Sequence, residues 1–300
     1  MLQSLVFSLV ILFTIWFSGK KYVQILRAIQ LGQAEPLSGT FASRWKNMLL
    51  FALGQKKMFS KPVAGFFHFF IYLAFVLTQV EAIEILIDGF SGSHRFFADK
   101  LGLFYNGLIN SIEILSLLAF FATLVFLYRR NILKLRRFQL AELKGWPFKD
   151  ANLILLGEII LIISILMMNG AYQHLQQIQP EAYPNGGRYW LSSTLTMPLF
   201  DNSLSPFIVA AERIFWWLHV LVILAFIIYL PYSKHLHIFL SFPGSYFADQ
   251  GPRGKMSNIP EIQQEVRSMF ELPVQQQVDS QGHFGAADVH QLRRLTMLQH

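Results

Sequence analysis

The chain has 300 residues, of which 53% are hydrophobic and only 14% charged, and 29 are phenylalanine. So few charged residues cannot cover a soluble globule of this size, and the composition therefore indicates an integral membrane protein. The net charge of +7 does not indicate a nucleic-acid partner, because the basic residues flank apolar runs, as residues that set membrane topology do. Cysteine is absent, so this chain forms no disulfide and holds no cysteine-ligated iron–sulfur cluster.

Five apolar runs predict five membrane-spanning α-helices. No segment shows the alternation of apolar and polar residues expected of a membrane β-barrel, and helices satisfy their own backbone hydrogen bonds in lipid. The stretch 169–206 contains too many polar, glycine and proline residues to cross lipid. The expected fold class is therefore an all-α integral membrane protein, a bundle of five transmembrane helices. The predicted spans are residues 2–17, 63–87, 103–128, 151–168 and 207–230.

The distribution of lysine and arginine predicts how the bundle is oriented. Segments 18–61 and 129–150 contain eight and seven of these residues, whereas segments 88–102 and 169–205 contain two and one. Short cytoplasmic loops are enriched in lysine and arginine. We therefore expect the N-terminus outside, the C-terminus in the cytoplasm, and the chain in a bacterial inner membrane.

Beyond Pro243 the composition becomes that of a soluble segment, rich in glutamine toward its end. Such a segment cannot bury enough apolar surface to form a core. We expect a five-helix membrane domain over residues 1–243 and a cytoplasmic tail over 244–300. The tail is expected to be mostly extended or mobile, with one short helix at 260–271.

Two histidines, His68 and His219, lie inside predicted spans. Taken singly, each has an ordinary explanation as a packed ring that hydrogen-bonds to a neighbouring helix. Span two leaves the cytoplasm and span five returns to it, so both rings can lie at intermediate depth, where an unpaired polar ring is costly. Heme iron held between two neutral imidazoles supplies a partner for both. The pair therefore predicts a heme b site with His68 and His219 as axial ligands.

The end of span five suggests a second metal centre. On a regular helix His219 and His237 are eighteen residues or five whole turns apart and share one face, whereas His235 points to the opposite side. Pro231 removes a backbone hydrogen bond and can kink the helix, which would bring His235 to that face instead. The partner at the start of span two would be Met58, whose thioether can ligate heme iron. Met58 can also be ordinary apolar filler at a membrane boundary, so the second heme is conditional.

Ionisable residues in or beside the spans are further functional candidates. Arg213 is a candidate partner for a heme propionate. Four glutamates could relay protons or contact a quinone. For the two in span two the alternative is an ion pair with Arg213 or Lys100, or simple contact with the outer interface. The four are Glu81, Glu84, Glu113 and Glu158.

The segments that contain these residues resemble a known family. They are GQKKMFSKPVAGFFHFF at 54–70, GWPFKDANLIL at 145–155, ERIFWWLHV at 212–220 and SKHLHIF at 233–239. They resemble the cytochrome b membrane subunits of respiratory nitrate reductase (the gamma subunit) and of heterodisulfide reductase. They are more similar still to the N-terminal membrane half of fused iron–sulfur oxidoreductases, over residues 1 to about 290.

The resemblance implies a five-span cytochrome b that exchanges electrons between a membrane quinone and iron–sulfur centres on the cytoplasmic side. It puts His68 and His219 at the ligand positions of one heme and His237 at a ligand position of the other. The two-heme relatives have histidine where this chain has Met58, which makes the second heme doubtful.

A second departure from the fused relatives concerns the iron–sulfur clusters. In those relatives the segment similar to FGAADVHQL at 284–292 leads into a ferredoxin-like domain with cysteine clusters, whereas this chain has no cysteine. Either the clusters belong to a partner subunit or the chain is a shortened form of a fused protein.

The sequence therefore predicts a heme b electron-transfer subunit of a quinone-linked membrane oxidoreductase rather than a complete enzyme. The expected cofactor is one heme b, with a second conditional on Met58. The expected partners are membrane lipid, menaquinone or ubiquinone, and a cytoplasmic iron–sulfur protein or subunit. The alternatives are a cofactor-free transporter or proton channel that uses the buried acids, and a heme-free anchor for a larger assembly.

Overall fold

The computed structural model describes residues 2–32, 37–138, 140–183, 187–201, 203–251 and 260–270. Every regular element in this part of the chain is helical, without a β-strand, as the sequence predicted. Short 3-10 or π-helical turns connect several of the α-helices. The α-helices of the described residues are α1 (Leu2–Gln30), α2 (Phe41–Met48), α3 (Pro62–Ser91), α4 (Ala98–Leu101), α5 (Leu103–Asn131), α6 (Trp146–Ile178), α7 (Trp190–Leu195), α8 (Ser205–Tyr229), α9 (His237–Tyr246) and α10 (Pro260–Met269).

Five helical segments of the described residues are long and apolar enough to cross a membrane, in agreement with the five long apolar helices that the sequence predicted. They are α1, α3, α5, α6, and α8 together with the turn that follows it. Each contains 28 to 33 residues. At about 1.5 Å per residue, each is longer than the roughly 30 Å hydrocarbon core of a bilayer. Large apolar side chains remain exposed along these helices, a surface suited to lipid rather than to water.

The first helix is longer than the predicted span 2–17. It continues to Gln30, through Lys20 and Lys21. Lysine is a good helix former, so the end of the apolar run is not the end of the helix. The next strong helix breaker is Gly32, where the chain leaves helical geometry.

The fourth span is also longer than predicted. α6 begins at Trp146, with Pro147 in its first turn, and continues well past residue 168. Gly170 does not end it, because that glycine is a packing position. A Cβ atom there would collide with the side chain of Thr196, in the segment after α7. The predicted broken segment therefore begins only after Ile178.

The chain leaves helical geometry between His219 and His237. α8 gives way to a 3-10 turn that contains Pro231, and Ser233 is then extended, with φ −115° and ψ 158°. A second 3-10 turn leads into α9, which begins at His237. Proline has no N–H and its ring blocks the continuing helix. The five-turn register that would put His219 and His237 on one face is therefore not formed.

The long helices pack as an up-and-down bundle. α6 packs most extensively against α8 and α3 against α5, while α5 contacts α6 and α1 contacts α3 and α8. The α1–α3 contact depends on Gly89, since a Cβ atom there would lie 2.5 Å from the ring of Phe7. Phe7 is fully buried and its ring centroid lies 5.7 Å from that of Trp216 in α8. Phe7 thus joins three helices.

The bundle has two ends, which we name by their residues. The basic end comprises residues 18–30, 54–61, 129–138, 140–150 and 230–237, and the opposite end comprises residues 92–102, 179–183, 187–201 and 203–204. α2 and α9 pack against each other at the basic end. α10 lies within the short helix predicted at 260–271. The rest of the predicted tail, residues 252–259 and 271–300, lies outside the described residues.

Candidate functional site

His68 lies on α3 near the basic end, half-buried, and its ring contacts a methionine. Its Nδ1 lies 3.1 Å from the sulfur of Met58. Met58 begins a 3-10 turn just before α3. Gly65 allows this turn to fold close to α3, because a Cβ atom there would lie 2.6 Å from the Met58 carbonyl oxygen. The structure therefore brings Met58 and His68 together, with the thioether on Nδ1 and Nε2 at the other edge of the ring.

His219 lies on α8 and is oriented by α6. Its Nδ1 lies 3.0 Å from the carbonyl oxygen of Leu161 and 3.0 Å from the hydroxyl of Ser164. A carbonyl oxygen only accepts hydrogen bonds, so Nδ1 carries the proton and donates it to Leu161. Nε2 then keeps its lone pair and has no hydrogen-bond partner among the described residues. The ring has the tautomer required of a metal-ligating histidine.

His235 and His237 lie side by side at the basic end, with ring centroids 6.1 Å apart. His237 is exposed, and its Nδ1 lies 2.9 Å from the backbone carbonyl three residues earlier. His235 is half-buried and stacks on Phe226, with the centroids 6.0 Å apart. Burial, followed by the charges of His237 and His68, lowers the pKa of His235 to about 4, against an opposing effect of Asp150. His68, His235 and His237 are thus close enough to interact electrostatically.

Glu158 of α6 belongs with these histidines rather than with the other three glutamates. One carboxylate oxygen accepts a hydrogen bond of 3.1 Å from the hydroxyl of Thr123 on α5. The other lies 3.9 Å from Nε2 of His235. The neighbouring Gly157 leaves room for Phe226, the residue on which His235 stacks.

At the opposite end, Arg95 occupies the centre of a buried polar network. It has a positive φ of 56° and only 7% of it is exposed. Its guanidinium lies 3.2 Å from a carboxylate oxygen of Glu81 and 3.7 Å from one of Glu84. The rings of Tyr172 and Tyr189 lie 5.6 and 5.2 Å from it. Burial alone would lower the pKa of Arg95, but the surrounding tyrosines and glutamates raise it well above its usual value, so the side chain is charged.

The carboxylates of α3 also hold the loop that carries Arg95. Asp88 accepts hydrogen bonds from the backbone N–H groups of Arg95, at 2.8 Å, and Phe96, at 3.1 Å. Glu84 accepts one of 2.8 Å from the N–H of Phe97. Backbone N–H groups that are buried outside a helix need such acceptors. These acids therefore shape the loop as well as balancing the charge of Arg95.

The ion-pair partner expected for Glu81 and Glu84 was Arg213 or Lys100, and the structure gives them Arg95 instead. The ammonium of Lys100 lies 3.4 Å from the ring centroid of Phe96. Arg213 forms an ion pair with the adjacent Glu212. Neither Lys100 nor Arg213 pairs with the glutamates of α3, whose ion-pair partner is Arg95.

Glu113 of α5 caps a helix. Its carboxylate accepts hydrogen bonds from the N–H groups of Leu191, at 2.9 Å, and Ser192, at 3.4 Å, and from the hydroxyl of Ser192. These groups form the first turn of α7, whose N–H groups have no partner within the helix. Asn169 of α6 donates a further hydrogen bond of 3.3 Å to Glu113 and accepts one from Arg95. Asn169 therefore links the capped helix to the Arg95 network.

Arg213 begins a second charged group at the same end. Besides its ion pair with Glu212, it donates a hydrogen bond of 2.8 Å to Nδ1 of His94. Partial burial, followed by the charges of Arg213 and Arg95, lowers the pKa of His94 to about 4. His94 is therefore neutral near pH 7 and accepts the hydrogen bond. A small, partly open cavity of about 20 Å³ lies among these side chains, which is room for about one water molecule.

Sequence reasoning did not identify Arg95, Asp88 or Asn169 as members of a site. A signal was present, since Glu81, Glu84 and Asp88 are spaced three and four residues apart and so share one face of a helix. An arginine seven residues after the last of them lies in the next loop. Asn169 had no such signal, because its contact with Arg95 joins α6 to a loop that is far away in the sequence.

Comparison with known proteins identifies two distant relatives. No family model matches the chain, and no solved structure matches it. The chain is 28% identical over 239 residues to a protein of Bacillus subtilis named "Probable iron-sulfur-binding oxidoreductase FadF", in an alignment that covers 78% of this chain and 31% of the relative. It is 25% identical over 227 residues to the "EtfAB:quinone oxidoreductase" of Syntrophomonas wolfei, covering 70% of this chain and 29% of that protein. The chain thus spans less than a third of the curated relatives it matches, and it is related to proteins of redox electron transfer.

Proposed function

We propose that this chain is a heme b electron-transfer subunit of the bacterial cytoplasmic membrane, with its N-terminus outside and its C-terminus in the cytoplasm. It connects a membrane quinone, menaquinone or ubiquinone, with an iron–sulfur protein or subunit on the cytoplasmic side. The names of the two relatives, one iron–sulfur-binding and one a quinone oxidoreductase, support both partners. The five apolar helices support the membrane location.

The environment of His219 carries the proposal. Its Nδ1 donates to Leu161 on a neighbouring helix, and its Nε2 is left without a partner among the described residues. A histidine that only linked two helices by a hydrogen bond would need no free lone pair on Nε2, whereas a histidine that ligates heme iron needs one. No group of three or more His, Asp or Glu side chains in the described part of the chain could hold a metal ion. Heme requires fewer protein ligands than a bare ion, because the macrocycle itself coordinates the iron.

His68 and His219 would hold the first heme, one from α3 and one from α8. Met58 orients the ring of His68, and Leu161 and Ser164 orient that of His219. Bound heme would supply one-electron transfer, and the protein supplies ligation, orientation and insulation from water. The apolar helices around both rings exclude water.

A second heme would use His237, with Met58 as its other ligand. For that role the thioether of Met58 must leave Nδ1 of His68, where it lies in this structure. His235 is the alternative ligand, but its ring is stacked on Phe226 and lies toward Glu158. The side chains therefore support one heme per chain more strongly than two.

At the opposite end, the buried acids are proposed to exchange protons with the quinone, with Arg213 as a partner for an anionic group such as a propionate. Glu81, Glu84, Asp88, Glu113 and Glu212 are all buried there. Arg95 and Arg213 are fewer than these carboxyl groups, and unpaired buried carboxylates are costly. Glu113 also caps α7 and Glu158 lies near the basic end. Of the four glutamates, this leaves Glu81 and Glu84 as the ones proposed to act beside the quinone, with Arg95 as their shared cation.

A reduced-minus-oxidised absorption spectrum of the purified chain, expressed with an adequate heme supply, tests the proposal. We expect a b-type band and, by pyridine-hemochrome assay, about one heme per chain. A protein without any b-type band would contradict the proposal and would favour a cofactor-free transporter or a heme-free anchor.

A further inference from the structure

α2 and the π-helical turn after it (Leu49–Leu53) present an apolar face at the basic end. Phe41, Trp45 and Leu49 are four residues apart and so share one side of the helix. They are 65%, 43% and 48% exposed. Large side chains on one helix face normally pack against a core. About half of the surface of these three side chains stays exposed, so an apolar face is left for another phase or molecule to cover.

α9 holds this face in place. The amide of Asn47 donates a hydrogen bond of 2.5 Å to the carbonyl oxygen of Ser245. The ring centroids of Trp45 and Tyr246 lie 5.7 Å apart, and the guanidinium of Arg44 lies 5.6 Å from that of Tyr246. We call α2, the Leu49–Leu53 turn and α9 the surface helix pair. Its apolar face is built by tertiary contacts and is not the frayed end of a span.

The surface helix pair is continuous with the spans. The hydroxyl of Tyr72 donates a hydrogen bond of 2.8 Å to the carbonyl oxygen of Leu53. Tyr72 lies ten residues into α3, which is about 15 Å from the start of that helix. The turn therefore reaches alongside α3 to the depth of Tyr72 before the chain returns to Pro62. The Leu49–Leu53 turn lies beside the apolar part of the bundle and not out in water.

The charges of this region are positive except for Asp249, which follows α9 and accepts a hydrogen bond of 2.6 Å from the hydroxyl of Ser38. The sequence contains no aspartate or glutamate between residues 36 and 80, and none between 213 and 248. Anionic phosphate groups complement such a surface, and lysine can extend its charged end to them while its stem covers apolar surface. The basic residues from 37 to 61 are Arg44, Lys46, Lys56, Lys57 and Lys61.

We propose that the surface helix pair lies in the membrane interface and binds anionic phospholipid. Phe41, Trp45 and Leu49 enter the boundary of the acyl chains, and the basic residues bind the phosphates, as in amphipathic interfacial helices. Lipid is favoured over a soluble protein as the occupant because Leu53 lies beside a span. This inference rests on the membrane location proposed above, but it is independent of heme.

A spin label measures where this face lies. Since the chain has no cysteine, Ala42→Cys gives a single labelling site on the apolar face. The labelled protein is reconstituted in phosphatidylcholine vesicles with or without phosphatidylglycerol. Collisions of the label with oxygen, which enters lipid, are compared with collisions with a neutral water-soluble nickel chelate. With phosphatidylglycerol present, we expect frequent collisions of the label with oxygen and few with the nickel chelate. Without phosphatidylglycerol, we expect collisions with the nickel chelate to increase, because the face moves toward water.

Charge variants and a reference label separate the outcomes. Lys46→Gln and Lys57→Gln should each weaken the lipid-bound state about fivefold in phosphatidylglycerol vesicles. Lys100→Gln, at the opposite end of the bundle, removes the same charge and should change nothing. A label at Leu221→Cys, exposed on α8, reports membrane insertion itself. If the label at position 221 lies in lipid but the label at position 42 lies in water in both lipid compositions, this inference is overturned while the membrane location stands. The apolar face would then be a binding site for a soluble protein. A Leu221 label in water overturns the membrane location.

Discussion

The sulfur of Met58 lies 3.1 Å from Nδ1 of His68. A thioether is a weak acceptor, so this contact favours the tautomer with the proton on Nδ1 and the lone pair on Nε2. The same sulfur cannot ligate a second iron while it remains on His68. Under the proposed function, the number of hemes that the chain can hold would therefore depend on this contact.

Met58→His tests that dependence. The substitution replaces the thioether with an imidazole, so that two histidines, at positions 58 and 237, would be available to hold the second heme. We expect the heme content to rise from about one to about two per chain, measured as pyridine hemochrome. Met58→Leu is the matched control, because it keeps the volume but removes the sulfur. It should leave about one heme, with a shifted midpoint potential. If the unmodified chain instead held about two hemes and Met58→Leu held about one, Met58 would itself be a heme ligand.

Removing His219 should abolish heme binding, whereas removing a hydrogen-bond partner of its ring should change only the midpoint potential of the heme. We expect His219→Ala to lose the b-type band. Ser164→Ala removes one of two contacts to Nδ1 and leaves Leu161 as the acceptor. It should retain heme with a changed midpoint potential, because the hydrogen bond to a ligating imidazole sets its basicity. His94→Gln, at the opposite end, serves as the histidine control. Full heme content in His219→Ala would exclude this residue as a ligand.

Arg95 should be the most sensitive position for stability. Arg95→Met leaves Glu81 and Glu84 buried without their cation, and breaking a buried ion pair costs about 3–5 kcal/mol. The measurement is unfolding in mixed micelles followed by circular dichroism. Arg213→Met, whose side chain is 25% exposed, should cost less. The double variant Arg95→Met with Glu81→Gln should recover part of the loss. Equal effects of the two arginine variants would contradict the central position of Arg95.

Glu113 should act through α7 and not through proton transfer. Glu113→Gln weakens the acceptor of two backbone N–H groups and one hydroxyl. A buried hydrogen bond to a charged group contributes about 1.5–3 kcal/mol, so a loss of that order is expected in the same unfolding measurement. Quinone reduction by the assembled complex should keep its pH dependence. A shifted pH profile with unchanged stability would instead assign Glu113 to proton transfer.

The pKa of His94 should respond to its arginine neighbour. Partial burial and then Arg213 and Arg95 lower that pKa to about 4 from an ordinary 6.5. The unfolded chain thus binds more protons between these values, and the contribution of His94 to stability is lost as pH falls from about 6.5 toward 4. Arg213→Gln removes a positive charge and should raise the pKa toward 6.5. Histidine-selective NMR titration, assigned with His94→Gln, measures this directly. An unchanged pKa would mean that Arg213 does not contribute and that burial and Arg95 set the pKa of His94.

The spans could be predicted because composition reports them directly. Long apolar runs have to be helical in lipid, and the structure has five such helices in its described part. Their ends were less predictable, since they depend on contacts and not on local sequence. α6 passes through Gly170 because that glycine receives Thr196. The end of α8 follows from Pro231, a local signal that the sequence did contain.

The candidate site was predicted in part. His68 and His219 stood out because polar rings are rare within apolar runs, and their roles as ligands remain predictions. The contact of Met58 with His68 could not be inferred, because it requires the turn at Gln55, where φ is 48°, to bring the chain back onto α3. Arg95 was missed because a single arginine in a short loop looks like a surface residue. Only its burial reveals its role.

The pairing of Arg95 has a consequence for the assembly of this protein in the membrane. Arg95 is separated from Glu81 by only fourteen residues, and α3, the loop and α5 form one hairpin. The cation and its carboxylates can therefore meet as soon as this hairpin has been synthesised. In the proposed topology Arg95 has to cross the membrane, which is costly for an arginine alone, and its nearby carboxylates would cross with it as counterions. Later helices then enclose a pair that is already neutralised.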